Sequence, residues 1–503
     1  MPKRLIIKPN AYYDSVSLMA ITQRVTELPG VTNCVVAMGT AMNKELLQNV
    51  GLLTEAAAAA TAADLVIAVA TESEAVLDTV LAQAEDLLKR RATAAAPGAG
   101  AVVPRTIPSA VRSVAGANLA LISVPGAYAA REARLALEND LHVMLYSDNV
   151  SVADELALKR LAHEKGQLLM GPDCGTAIIN GVGLGFSNGV RRGPIGIVAA
   201  SGTGAQEIST LIDRMGSGVS QLIGTGGRDL SEAIGGIMVL DGIAMLQADP
   251  NTNVIAVISK PPAPVVAERV LHSLQAGSKP YVVCLLGAPG SPSIDEAAAR
   301  AVALATGAAE QVLLAGLGHG QPAQVLPVGA GRRFVRGLFS GGTLCDQALM
   351  VLEPAVGPVL CNVHPNPERR GGSRRSKGHT LVDLGDDEFT LGQPHPMIDP
   401  GLRSRRLVEE AQDPEVAVIL LDVVIGHGSH VDPAGALAEA IRGAVSAGIA
   451  VVAAVTGTEA DPQRYSDQTA KLLAAGAAVL PTARLAAMTA AATVQSASAA
   501  QGR

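Results

Sequence analysis

Two short stretches place serine, threonine and glycine at the point where a strand would give way to a helix. They are Gly196-Ile-Val-Ala-Ala-Ser-Gly-Thr-Gly-Ala-Gln-Glu207 and Gly337-Leu-Phe-Ser-Gly-Gly-Thr-Leu-Cys-Asp346. In each, a β-prone apolar run breaks into small residues and continues as a helix-forming run, Ala205 to Ile212 and Leu344 to Leu352. Glycine lets an anion approach the backbone closely, and the unpaired N–H groups and positive dipole end of a helix favour negative charge. Ser201, Gly202, Thr203 and Gly204, with Ser340, Gly341, Gly342 and Thr343, are therefore the candidate phosphate ligands, two turns holding one phosphate from both sides.

Other chemistry-bearing residues fall where further apolar runs end. Lys260, in Ser259-Lys-Pro-Pro262, directly follows such a run and is expected to offset phosphate charge, although a solvated strand-end cation has the same sequence signature. Arg228, in Gly224-Thr-Gly-Gly-Arg-Asp229, is expected beside it, and His395, in a Pro-His-Pro loop, is the candidate general acid or substrate donor unless it only packs that loop. Asp386 and Asp387, followed by Glu388, are expected to orient an amide-bearing substrate or to form an ordinary polar loop. Gly426 and His427 lie in a turn suited to substrate binding. His427 and His430 with Asp422 and Asp432 match no standard zinc spacing, so no metal site is expected. The basic run Arg369 to Lys377 is read as a solvated loop.

The elements that must position these groups follow from hydrophobic periodicity. Residues 1–92 give a strand, helix, strand, helix, strand, helix order, expected as a ferredoxin-like α+β unit, with an Ala/Gly/Pro-rich linker from Ala94 to Gly100. Residues 113–190 alternate short apolar strands with amphipathic helices, expected as a degenerate Rossmann-like domain of CoA-binding type. Residues 191–300 and 331–497 repeat the alternation as two flavodoxin-like ligase domains with parallel sheets, separated by an Ala/Gly-rich linker from about Ala299 to Gly331. The fold class is thus α/β throughout, save for the first unit. Ligands in such sheets sit outside the carboxyl ends of the strands, which is where the candidate residues fall.

With 503 residues, the chain can bury several cores, and with aromatic residues at 2% and no Trp those cores must be Ala, Val, Ile and Leu. A formal charge of -7 leaves no footprint for nucleic acid. Five scattered cysteines with no C-x-x-C pair fit a reducing compartment. No apolar stretch is long enough for a bilayer and no h-region is seen, so a cytoplasmic protein with no membrane partner is expected.

The run Gly171-Pro-Asp-Cys-Gly175, the Gly196 to Glu207 turn and the Gly-Gly-Arg-Asp loop resemble the succinyl-CoA synthetase α-subunit, and the stretch from Arg336 onward resembles the carboxy-terminal ligase domain of its β-subunit. Adding Phe186-Ser-Asn188, Ser340-Gly-Gly-Thr343, Gly392-Gln-Pro-His-Pro-Met-Ile-Asp-Pro400 and Thr456-Gly-Thr-Glu459, nearly the whole chain resembles the FdrA family. That resemblance implies a component of an oxamate carbamoyltransferase, cleaving oxalurate with phosphate to oxamate and carbamoyl phosphate in allantoin catabolism. It also implies companion carbamoyltransferase subunits and an oligomer.

The departures from the synthetase are specific. Where its α-subunit carries a phosphorylated His, this chain has Leu286-Gly-Ala-Pro-Gly-Ser-Pro292; where it carries a carboxylate orienting that His, this chain has Lys260. No Gly-rich CoA loop precedes Leu119, and the ATP-grasp part is absent. No resident cofactor is indicated; phosphate and carbamoyl phosphate enter as substrates. Two other readings remain open. One is an ADP-forming acyl-CoA synthetase, for which CoA and ATP would be needed; the other is a scaffold or regulatory subunit that senses phosphate.

Overall fold

The computed structural model describes residues 2–11, 13, 15–26, 28–94, 104–390 and 393–501. Within these, the chain divides into two units, Met1–Ser113 with Asp387–Pro394, and Val114–Asp386 with His395–Arg503.

In the first unit, strands β1 (Lys3–Lys8), β2 (Val31–Met38) and β3 (Leu65–Thr71) form an antiparallel sheet in the order β1-β3-β2. Together with helices Ser15–Thr26 and Glu74–Ala94 this is a ferredoxin-like arrangement of three strands. The central strand is buried along its whole length, because one face packs on the two helices through Ile67 and Val69 and the other on Leu47 and Leu52 through Val66 and Ala68. Of the expected linker, residues 95–100 lie outside the described residues, as does Gly392.

The second unit begins with a parallel three-stranded sheet, β4 (Leu119–Ile122), β5 (His142–Leu145) and β6 (Leu169–Met170), crossed by helices Gly126–Glu138 and Val152–Glu164. A hairpin follows, β7 (Thr176–Ile179) and β8 (Val182–Gly185). The sequence reading places that hairpin in the Rossmann-like segment, but β7 pairs with the strand Val219–Gly224 and so extends the next sheet. Its residues follow the hydrogen bonds available at an open sheet edge rather than chain proximity to β6.

That sheet has the order β12-β11-β9-β10-β7-β8, with β9 (Arg192–Ala200), β10 (Val219–Gly224), β11 (Val254–Ser259) and β12 (Tyr281–Leu285) parallel to one another. The last sheet runs β14-β15-β13-β16-β17-β18, from β13 (Phe334–Phe339), β14 (Val359–Cys361), β15 (His379–Asp383), β16 (Val416–Val424), β17 (Ala450–Thr456) and β18 (Ala478–Leu480). Apart from the β7-β8 hairpin and the short edge strand β14, both sheets wind outward from their first strand in the same order, which is doubly wound α/β architecture. Every residue of β16 is buried, as expected of a strand covered by helices on both faces.

The Ala-rich stretch read as a linker from Ala299 is helical at its start. Helix Ile294–Thr306 buries Ala297, Ala298 and Ala301 against helix Gly202–Arg214, and a second helix covers Glu310–Gly316. Alanine here serves close helix packing, which composition alone does not distinguish from a linker. No helix among the described residues is long and apolar enough to cross a membrane.

Candidate functional site

The two Ser-Gly turns end β9 and β13 and open the helices Gly202–Arg214 and Gly342–Val356. Ser201 caps the first helix, its Oγ accepting from the Gly204 N–H at 3.1 Å, and the same Oγ lies 2.7 Å from Thr343 Oγ1. A Cβ on Gly341 would come within 2.2 Å of Thr203 Cγ2, so the two turns touch directly. What remains open is the backbone on either side of that contact. Gly202 is exposed with open space where a Cβ would stand, and Gly342 is half-buried.

Around Gly342 the surroundings are ionic. A Cβ there would meet Lys260 Nζ at 2.6 Å and Asp383 Oδ2 at 2.7 Å. Lys260 follows β11, its amine 4.0 Å from Asp346 Oδ2 and its side chain 39% exposed. Burial works against its charge, but Asp346, Asp383 and Asp173 outweigh this and raise its pKa. Burial likewise raises Asp346, opposed by Lys260. Asp383, at the end of β15, is pushed up to about 7 by burial, against the pull of Lys260. Its Oδ1 accepts from the Gly385 N–H at 3.0 Å.

His395 joins this cluster from the side. Its Nε2 lies 2.7 Å from where a Cβ on Gly385 would sit, a point 2.8 Å from the Ser340 carbonyl. The ring stacks obliquely on Phe186, which leans on Tyr146, with centroids 5.8 and 5.7 Å apart. Burial lowers the His395 pKa to about 4, so near neutrality the ring is uncharged, and its Nδ1 accepts from the Met397 N–H at 3.2 Å.

Other expected residues are engaged differently. Ser340 donates through its N–H and Oγ to Asp422, itself paired with Arg403 at 3.2 Å, because a carboxylate buried at a strand end needs donors. Arg228 is held by Glu155 at 2.9 Å and by the Val150 carbonyl at 2.8 Å. Beside it Asp229 pairs with buried Lys159 at 2.7 Å, and Lys159 with Glu155 at 2.9 Å. Gly426, with φ +129, packs on the Ser187 carbonyl and Asn188, while His427 is exposed and donates its N–H to Ser187. Asp386 raises Asp383 further; Asp387 opens the short helix Asp387–Thr390, which belongs to the first unit.

The Phe186-Ser-Asn188 and Thr456-Gly-Thr-Glu459 runs join the two sheets. Asn188 Nδ2 donates to the Ile425 carbonyl (2.7 Å) and Asp461 Oδ2 (2.9 Å), and Thr458 Oγ1 donates to the Gly189 carbonyl (2.5 Å). Glu207 accepts from Thr456 Oγ1 and, at 3.3 Å, from the Ala483 N–H, so it caps helix Ala483–Gln501 from the other sheet.

Asp173, Asp346 and Asp383 were not singled out by sequence reasoning. Asp346 closes the second quoted turn, so its position is visible in the sequence, but its meeting with Asp383 at Lys260 depends on the fold. After β4 the chain turns at Gly126, where a Cβ would stand 2.3 and 2.6 Å from the Asp148 and Asn149 carbonyl oxygens, so only glycine fits there.

Family models match over residues 1–104 (AllF, heavy metal-associated domain), 191–287 (CoA binding domain) and 338–493 (CoA-ligase). "Uncharacterized protein YahF" of Escherichia coli (strain K12) is 50% identical over 497 residues, 95% of each chain. The succinate–CoA ligase (ADP-forming) α-subunit of Aquifex aeolicus (strain VF5) is 32% identical over 167 residues, 32% of this chain and 53% of that one. The malate–CoA ligase α-subunit of Methylorubrum extorquens is 28% identical over 222 residues, 42% of this chain and 73% of that one. Among solved structures, ATP citrate lyase from Methanothrix soehngenii, in complex with citrate and coenzyme A, aligns with TM-score 0.33 and 21% identity over 37% of this chain and 32% of that one. The chain therefore belongs to the family of Escherichia coli YahF, an acyl-CoA-ligase-like family in which an AllF-type amino-terminal domain is joined to CoA-binding and CoA-ligase domains in one polypeptide.

Proposed function

We propose that this chain is an acid–thiol ligase component that exchanges phosphate at an acyl carbon, using the cleft between Lys260 and the open first turns at Gly202 and Gly342. The observation that carries this reading is the convergence of one ammonium and two helix amino-termini at the carboxyl ends of two sheets. Phosphate beside Lys260 would be held by the backbone N–H groups of the two turns. In the thiol direction a sulfur–carbon bond forms at the acyl carbonyl, the carbon–oxygen bond to phosphate breaks, and phosphate leaves with the electron pair. The thiol proton passes to a carboxylate, for which Asp346, 4.0 Å from the Lys260 ammonium, is placed. The relatives named as succinate–CoA and malate–CoA ligase α-subunits support this class of chemistry.

A specific observation favours a second acceptor chemistry, carbamoyl transfer of the kind the FdrA resemblance implies. The loop Leu286 to Pro292 holds no His, so no phosphohistidine can form there, and three carboxylates beside Lys260 would accept from the –NH2 of a carbamoyl group. Companion subunits would complete either substrate site, and CoA or ATP enters only with the ligase chemistry.

The experiment is phosphate release by the purified chain, alone and with co-purified partners, from acetyl or succinyl phosphate plus CoA and from carbamoyl phosphate plus oxamate. Release in the first pair establishes the ligase chemistry, and release only in the second establishes carbamoyl transfer. In whichever reaction proceeds, Lys260→Met should lower turnover by about 10²-fold or more, the loss typical of one electrostatic donor. A near-normal rate in that variant removes Lys260 from the mechanism.

A further inference from the structure

We propose that Asp383 is the positioning residue of the anion site and that its carboxyl group takes up one proton when an anion binds beside Lys260. The inference rests on the proposed phosphate chemistry and adds to it the group that sets its pH dependence.

The argument starts from charge. Asp383 is 5% exposed and shares with Lys260 the space in front of Gly342. Charged and titratable groups face it from each neighbouring element: Lys260 after β11, Asp422 on β16, Asp386 in its own loop, Cys345 on the helix Gly342–Val356, and His395 beyond Gly385. Asp422 is neutralised by Arg403, and His395 is uncharged near neutrality, so Lys260 is the cation nearest Asp383. Lys260 is also claimed by Asp346.

An anion approaching Lys260 and the Gly342 N–H must come up against Asp383. Two like charges in a poorly solvated cleft repel strongly, and the cheapest relief is to protonate the carboxylate. Asp383 is already poised for this, since burial pushes it up to about 7 before any ligand arrives. Once protonated, its Oδ2–H becomes a donor to the bound anion, while Oδ1 keeps its bond from the Gly385 N–H. Backbone bonds in both directions with Asn362, 2.8 Å from the Asp383 N–H and 3.0 Å to its carbonyl, fix the residue in place.

Inorganic phosphate binding is measured by calorimetry on the full chain from pH 6 to 8.5, in pairs of buffers with different ionisation enthalpies, for wild type and Asp383→Asn. At pH 8 the wild type should take up close to one proton more than the variant. The variant should match the wild type within about twofold at pH 6 and bind about thirtyfold tighter at pH 8.5, because only the protonated fraction of the wild type is competent there. A purely structural role would weaken binding by the same factor at every pH, and that result overturns the proposal. If the variant does not fold, the wild type decides by itself: essentially no proton uptake at pH 8 overturns the proposal. Phosphate binding without any proton difference removes Asp383 and leaves the proposed function standing. Absence of phosphate binding in the wild type at every pH overturns both.

Discussion

Ser201 Oγ and Thr343 Oγ1 lie 2.7 Å apart, joining the first turns of two helices that begin 140 residues apart in sequence and belong to different sheets. The contact explains why both turns carry only small residues. Two helix amino-termini can meet head to head only where their backbones come close, and their like-signed dipole ends are then left with a shared demand for negative charge.

The same contact separates two glycines that look equivalent in sequence. Gly341→Ala would force a methyl group against Thr203 and should destabilise the fold by about 1–3 kcal/mol, an overpacking cost. Gly202→Val faces open space and should leave stability within about 0.5 kcal/mol while abolishing thermal stabilisation by phosphate. Thermal melts with and without phosphate read both effects; a Gly202→Val protein that phosphate still stabilises places the anion elsewhere.

Breaking the joint between the sheets should cost stability without touching the charged cleft. Asn188→Ala leaves the buried Ile425 carbonyl and Asp461 carboxylate short of a donor, a loss of about 1–3 kcal/mol. Urea unfolding should show a lower midpoint at unchanged Lys260 chemistry, and an unchanged midpoint would mean the joint adds nothing.

The Lys159 cluster gives a larger effect. Asp229→Ala leaves a fully buried ammonium with only Glu155 and the Thr225 carbonyl, so destabilisation of about 3–5 kcal/mol is expected from the broken pair. Replacing Lys159 by Met in the same chain should recover part of that loss, which a double-mutant cycle measures.

His395 sets an acid limb. Its folded pKa, about 4, lies below the ordinary 6.5, so the unfolded chain binds the extra proton between those values. Stability contributed by the neutral ring is present above pH 6.5 and is lost as pH falls toward 4. His395→Gln should flatten the stability profile across that window, and a profile as steep as the wild type's would assign the limb to another group.

A second check bears on the loop after β12. With no His between Leu286 and Pro292, incubation with labelled ATP and magnesium should leave no acid-labile phosphate on the chain. Stoichiometric phosphohistidine would show that a His outside this loop accepts the phosphoryl group.

The architecture was legible because alternating apolar runs and amphipathic helices are local signals. The apolar runs that end in the Ser201 and Ser340 turns, and the one that ends before Lys260, are visible in the sequence and become β9, β13 and β11. Local pattern failed where alanine is ambiguous, as in helix Ile294–Thr306, and where pairing is chosen by an open edge, as for the β7-β8 hairpin. The ionic part of the site belongs to tertiary structure alone. Lys260, Asp346 and Asp383 come from three separate strand and helix ends, and nothing in their spacing says that they share one small space. Burial then sets their charges: the same fold that brings a carboxylate to Lys260 removes the water that would have kept it ionised, and it turns Ser340 and Arg228, plausible phosphate ligands in sequence, toward carboxylates that needed them first.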